Sequence, residues 1–170
     1  MTIADNVICK HCINRMFNID RNVELGKGNI NACTMIVIPR IYSKDKQNYF
    51  MNKLNELYHK ITGYNILDEC YVTIDIKCPV KNKYGIDKDI YCNCNKHLLN
   101  ELSSNHYKFI IVIDNAIKVL FNGNKPNKHS WFYNETNTFI IWVEDVCNYD
   151  DFDSKNSLFK AIAFTKNCRI

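Results

Sequence analysis

Four short apolar, β-branched runs, each followed by a stretch with helical spacing, constrain this chain more than any other feature of its sequence. The runs are "ACTMIVIPRIY" (32–42), "ECYVTIDIKCP" (69–79), "KFIIVID" (108–114) and "NTFIIWVED" (137–145). The first and second read as strands stopped by Pro39 and Pro79, because proline cannot donate to a ladder. The third is continuous, as expected of a strand buried on both faces. Between the first two, apolar residues at 50, 51, 54, 57, 58 and 61 recur at helical spacing, and Gly63 closes that helix. Further helices are predicted over 91–105, over 115–123 with Gly123 past its end, and over 154–164 with Ser154 as N-cap. Strand and helix alternating four times predict an α/β protein. The expected architecture is a three-layer α/β/α fold with a four-stranded, mostly parallel sheet. All 170 residues are expected in one domain, with an N-terminal segment that carries its own motif.

That motif is "VICKHCINR", in which Cys9 and Cys12 lie close enough for both sulfurs to meet one ion. No run approaches the roughly 18 apolar residues of a membrane span. The opening "MTIADNVICKHC" has no basic region followed by an apolar stretch, so no secretory signal is read. The expectation is a cytoplasmic protein with no membrane partner, whose thiols are kept reduced. Nine cysteines are also an odd number, which full pairing cannot accommodate. Ligands to a metal or cluster, with some plain thiols, are what remain. The formal charge of +4 permits nucleic acid as a partner without arguing strongly for it.

Downstream, Cys78 ends the second strand and Cys94 opens the following helix, with Cys92 as a near substitute. Four thiolates from Cys9, Cys12, Cys78 and Cys94 suit a tetrahedral Zn²⁺ or a [4Fe–4S] cluster, and spacing leaves the two open. Cys33, Cys70, Cys147 and Cys168 have no partner at ligand spacing and read as small buried hydrophobes or terminal residues.

Taken together, these residues resemble the iron–sulfur branch of the uracil-DNA glycosylase superfamily, families four and five. Those proteins open with Cys-x-x-Cys, then a strand into Gly-Glu-Ala-Pro-Gly, with a uracil-stacking Phe about eleven residues past the proline. Here "VIPRIYSKDKQNYF" sets Pro39 and Phe50 at that separation. The family strand ending Thr-Asn-x-x-Lys-Cys is matched by "VTIDIKCP", with Lys77 and Cys78 in register. A helix beginning Cys-x-x-x-Leu is matched by Cys94 and Leu98, and "FIIVIDNAIKVLFNG" follows as the next strand and helix. The resemblance spans about residues 9 to 164. It implies a glycosylase-like fold, a [4Fe–4S] cluster on Cys9, Cys12, Cys78 and Cys94, and a DNA-facing site that includes Phe50 and Lys77.

The catalytic groups depart from the family pattern. The water-positioning acid falls on Val37, and the Asn that reads the uracil edge falls on Ile74. Where a final His-Pro motif belongs, the chain reads "WVEDVCN". Glycosidic cleavage needs the flipped base read at its pairing edge and the leaving anion stabilised. Loss of one such donor typically costs about 10²–10³ in rate. Asp45, Glu144 and Asp145 are the candidate replacement carboxylates. Lys125, Lys128 and His129, in a basic loop ahead of Trp131 and Phe132, are candidate contacts to single-stranded nucleic acid. The reading favoured here is a module that keeps the fold and the cluster and has lost the chemistry. It would bind DNA, another nucleic acid or a protein partner, as in a viral or phage replication or transcription assembly. The alternatives are an active DNA glycosylase of altered base specificity and a zinc-bound interaction domain.

Overall fold

A computed structural model describes residues 24–41, 43–78, 88–127, 130–133, 137–144 and 157–168. Cys9, Cys12, Lys128, His129, Asp145, Cys147 and Ser154 lie outside these residues. In chain order the elements are β1 (Lys27–Gly28), β2 (Thr34–Ile38), α1 (Lys44–Thr62), α2 (Ile66–Glu69), β3 (Cys70–Ile74), α3 (Lys88–Ser103), β4 (Phe109–Ile113), α4 (Ile117–Leu120), β5 (Ser130–Tyr133), β6 (Thr138–Val143) and α5 (Ser157–Asn167). A single 3₁₀ turn, Asp114–Ala116, leads into α4.

One mixed sheet runs β1-β3-β2-β4-β6-β5. Its four inner strands, β3, β2, β4 and β6, run parallel to one another. These are the four strands expected from the apolar runs. The sheet is wider than expected, because β1 and β5 add antiparallel edges. β1 is too short and polar to announce itself, and β5 lies in a stretch read as a loop leading into a hairpin.

Side chains alternate across the parallel strands, so each face has its own core. On one face Met35, Val37, Ile110, Val112, Ile140 and Trp142 pack against Ile90, Tyr91, Cys94 and Leu98 of α3 and Ile117 and Val119 of α4. On the other, Ile36, Ile38, Val72, Ile111 and Ile113 pack against Phe50, Leu54 and Tyr58 of α1 and Leu158 and Ile162 of α5. Helices thus cover both faces, giving the α/β/α layering.

Local chemistry sets several boundaries away from their expected places. α1 begins at Lys44, because the Ser43 hydroxyl accepts the Lys46 N–H at 3.4 Å. It ends at Gly63, whose φ of 83° closes the last turn back onto the His59 carbonyl. β3 stops at Ile74, five residues before Pro79. There the Asp75 carboxylate accepts the N–H groups of Arg40 and Ile76, both at 2.7 Å, and its own N–H donates to Ile38. The helix expected over 115–123 shrinks to the 3₁₀ turn and α4, with Asn122 and Gly123 at positive φ beyond it.

The chain leaves β2 for β3 on one side, then crosses back to β4 on the other. That reversal is a topological switch point, and crevices at the carboxyl ends of such strands are where open α/β sheets take their ligands. Residues 39–41, 75–78 and 114–115 follow the carboxyl ends of β2, β3 and β4. Among the described residues no helix is long and apolar enough to cross a membrane.

Candidate metal centre

Past the end of β3, four bent residues run from Asp75 to Cys78, and all four side chains are buried. Of these, Ile76 and Lys77 meet α3, whose buried stripe reads Ile90, Tyr91, Cys94, His97, Leu98 and Glu101. Cys94, His97 and Glu101 recur at three and seven residues, so they project from one face of the helix. The fold thus buries one thiol past the end of β3, Cys78, and another on α3, Cys94. Both are reduced and under a tenth exposed.

Beside them lies an ion pair buried more deeply than most. Lys77 is 1% exposed, and its Nζ donates to Glu101 Oε2 at 2.5 Å and to the Thr73 hydroxyl. Glu101 also accepts the Thr73 hydroxyl at 2.8 Å, the Gly26 N–H at 2.8 Å and the Tyr71 hydroxyl at 3.4 Å. A Cβ on residue 26 would fall 2.4 Å from the Tyr71 ring, so glycine there lets the backbone reach the carboxylate. Burial pushes the Lys77 ammonium down from its ordinary pKa, and the charges of Glu101, Cys94 and Asp75 oppose that. Cys94 is thus within electrostatic reach of Lys77, the residue next to Cys78. Burial raises the Tyr71 phenol, and the Glu101 charge adds to the effect.

A strap from the N-terminal side closes the same spot. The Glu24 N–H donates to the Lys77 carbonyl at 2.5 Å, one residue before Cys78. Arg40 lies across the two segments, with Nε on the Ile76 carbonyl at 3.0 Å and Nη1 on Glu24 Oε2 at 3.2 Å. Its remaining nitrogen, Nη2, is the one buried side-chain nitrogen or oxygen without a hydrogen-bond partner among the described residues.

The arrangement fits a thiolate-ligated centre in the chemistry of its donors. Cys78 and Cys94 are both buried sulfur donors, of the kind that zinc and iron–sulfur centres use. No three His, Cys, Asp or Glu side chains among the described residues gather to hold a metal by themselves. The other two expected ligands, Cys9 and Cys12, are outside those residues. Cys92, the substitute weighed against Cys94, faces elsewhere: its Sγ donates to the Asn122 carbonyl at 3.7 Å. Two residues apart on a helix, the two thiols point to different sides.

The chain matches no protein-family model, and no curated protein is significantly similar to it in sequence.

Phe50 is 0% exposed and fills the core under α1, so it has no surface on which a base could stack in this structure. Lys77 is committed to Glu101 and shielded from solvent. Both were read from register alone, and register does not report burial. Lys125 is exposed, 5.6 Å from the centre of the Trp142 ring, and paired with Glu144 at 3.3 Å. Glu144 is half-buried after β6, and Asp45 is exposed in the first turn of α1. Among the described candidate carboxylates, the two therefore lie on separate elements. Lys128, His129 and Asp145 lie outside the described residues. Val37 is sealed in one core and Ile74 packs against the other, so neither position presents a polar group. Cys33, expected to be buried, is exposed.

Sequence reading missed His97, Glu101, Asp75 and Arg40. The signal was present for two of them: His97 and Glu101 are polar residues at the apolar phase of an amphipathic helix. Asp114 is a further polar group near the switch point, with a φ of 47° just past β4.

Proposed function

We propose that this chain is an iron–sulfur protein with a uracil-DNA glycosylase-like fold, whose centre is structural and whose role is to bind a nucleic acid or a protein partner. The observation that carries the reading is the strap at Glu24, bonded to Lys77 beside two buried thiols. From Cys12 to Glu24 is 12 residues, enough chain to span roughly 40 Å when extended. Reach therefore does not limit Cys9 and Cys12 from joining Cys78 and Cys94. The order β3-β2-β4-β6 of the parallel strands, flanked by helices on both faces, is compatible with the family resemblance.

When bound, a [4Fe–4S] cluster would link the N-terminal segment to the ends of β3 and α3 and add its binding energy to folding. The protein's own residues supply the thiolates and exclude water around them. Loss of glycosylase chemistry is supported by the apolar side chains at Val37 and Ile74, which can neither orient water nor read an amide edge.

The test is the visible spectrum with the iron and sulfide content of anaerobically purified protein. Absorbance near 400 nm with about four irons per chain is the expected result for a [4Fe–4S] centre. Zinc at one per chain, or no metal, would defeat the reading. Incubation with uracil- and lesion-bearing oligonucleotides, followed by alkaline cleavage, should then give no scission above that of a Cys78→Ser control. Scission would favour the active glycosylase of altered specificity.

A further inference from the structure

Packing is incomplete on the face of the sheet that α3 and α4 cover. A cavity of about 290 Å³ lies there, at the amino ends of β4 and β6. Its floor is Ile110 and Ile140. One wall is Leu99 and Leu102 of α3, and the other is Leu120 of α4 with Phe121 just past it. The floor is buried, while Leu99 is 45% exposed and stands at the mouth. Protein interiors keep few voids larger than a water molecule, because atoms lining a void forfeit dispersion contacts. A space of this size between two helices and a sheet is large by that standard. It stands at the small end of the volumes that take small-molecule ligands.

The chemistry of the lining selects the occupant. Ser103, Asn105 and Thr138 also line the cavity, and each side chain is already hydrogen-bonded within the chain. The Thr138 hydroxyl donates to the Tyr107 carbonyl at 2.7 Å, and the Ser103 hydroxyl to the Asn100 carbonyl at 2.9 Å. The Asn105 amide donates to the Ala32 carbonyl at 2.9 Å and accepts the His106 N–H at 2.8 Å. Tyr107 is a further lining residue, and burial raises its phenol above the ordinary pKa, so it stays uncharged. None of the described lining residues carries a charge. A charged ligand would therefore lose its hydration with nothing to replace it. An apolar cavity of about 150 Å³ takes one benzene ring, so this one has room for about two rings. It is too small for a partner helix, which needs several anchor pockets in a row. We infer that the cavity between α3 and α4 is a binding site for a neutral, largely apolar small molecule of about two rings. It lies at the opposite end of the parallel strands from Cys78 and does not depend on the iron–sulfur reading.

The probe is prodan, an uncharged naphthalene dye whose emission shifts to the blue on leaving water. The full-length protein should bind it saturably, at one site per chain. With ¹³C-labelled isoleucine and leucine methyls, saturation should move the signals of Leu102, Ile110, Leu120 and Ile140. Those of Leu158 and Ile162, in the opposite core, should stay in place. Leu102→Trp puts an indole into the cavity and should weaken prodan by roughly tenfold or more, because dye and indole compete for the same volume. In competition with prodan, 2-naphthoate should fall behind 2-naphthol by a similar factor, since its charge finds no partner in the lining. The inference is overturned by an absence of saturable binding, or by shifts spread over both cores alike. It is equally overturned if the chain's own side chains fill the cavity in the free protein, or if naphthoate competes as well as naphthol. If Leu102→Trp does not fold, the methyl shifts of the wild-type protein still decide.

Discussion

Lys77 and Glu101 illustrate how a charge survives inside an α/β core. Both side chains are buried, so each depends on the other and on Thr73, Tyr71 and the Gly26 backbone. Removing one member strands its partner. Lys77→Met should therefore destabilise the protein by about 3–5 kcal/mol, read by urea denaturation. The double variant Lys77→Met/Glu101→Leu should recover most of that loss, since a well-packed apolar pair often equals a buried ion pair. Recovery of none of it would show that the pair matters for something other than mutual neutralisation. Asp75 makes a second prediction at this scale. Burial lifts its pKa from 3.8 to about 6, against the opposing hydrogen bonds from Arg40 and Ile76. Below 3.8 the carboxyl is protonated in both the folded and unfolded chain. Between 3.8 and 6 the unfolded chain gives up its proton first, so stability falls as pH rises; above 6 the penalty is complete. The ionised form then costs about 3 kcal/mol. Asp75→Asn keeps the acceptor oxygen and removes the charge. Its stability advantage over wild type should grow by about 2 kcal/mol between pH 4 and pH 6.5, measured by denaturant midpoints. A difference that stays flat with pH would contradict this account.

At the scale of elements, α1 offers a clean measurement of backbone strain. Gly63 sits at a φ of 83°, and a Cβ there would meet nothing within 4 Å. Gly63→Ala should thus cost about 1 kcal/mol from conformation alone, seen as a lowered Tm. A loss several times larger would mean that the turn into α2 is coupled to more than its own backbone. Elements with strong periodicity were legible before any coordinates: the four inner strands and the bodies of α1, α3 and α5 stand where apolar spacing puts them. What spacing could not convey was tertiary capture. Asp75 cuts β3 short by bonding to Arg40 across the sheet, and no local rule pairs residues so far apart. β1 has only two residues and exists because β3 offers it an edge. The site divides along the same line. Cysteine spacing singled out Cys78 and Cys94, both of which the fold buries, while Phe50 and Lys77 matched a motif in register and turned inward. Arg40 followed a proline and looked like any surface cation; only its anchors at Ile76 and Glu24 mark it out.

For the whole molecule, the strap at Glu24 makes a prediction about exchange. If a cluster ties residues 9 and 12 to the ends of β3 and α3, chelating the iron should loosen that corner first. The Glu24 and Gly26 amides, bonded to Lys77 and Glu101, should lose hydrogen-exchange protection on iron removal. The central strands β2 and β4 should keep theirs, being held by both cores. Equal loss everywhere would make the centre a requirement of the entire fold, and no change would detach the strap from it.

The last described helix has a bearing on how the protein is made. α5 closes the face begun by α1, with Leu158 and Ile162 in the same core as Phe50 and Leu54, and Lys166 reaches the carbonyls of Ile61 and Thr62 at the end of α1. More than a hundred residues of translation separate those partners. At 5–20 residues per second, a ribosome leaves that apolar surface uncovered for roughly 5–20 seconds. Until residue 167 has cleared the exit tunnel, the nascent chain carries an incomplete face that invites chaperones, and a stall in the final stretch would release a species prone to clump.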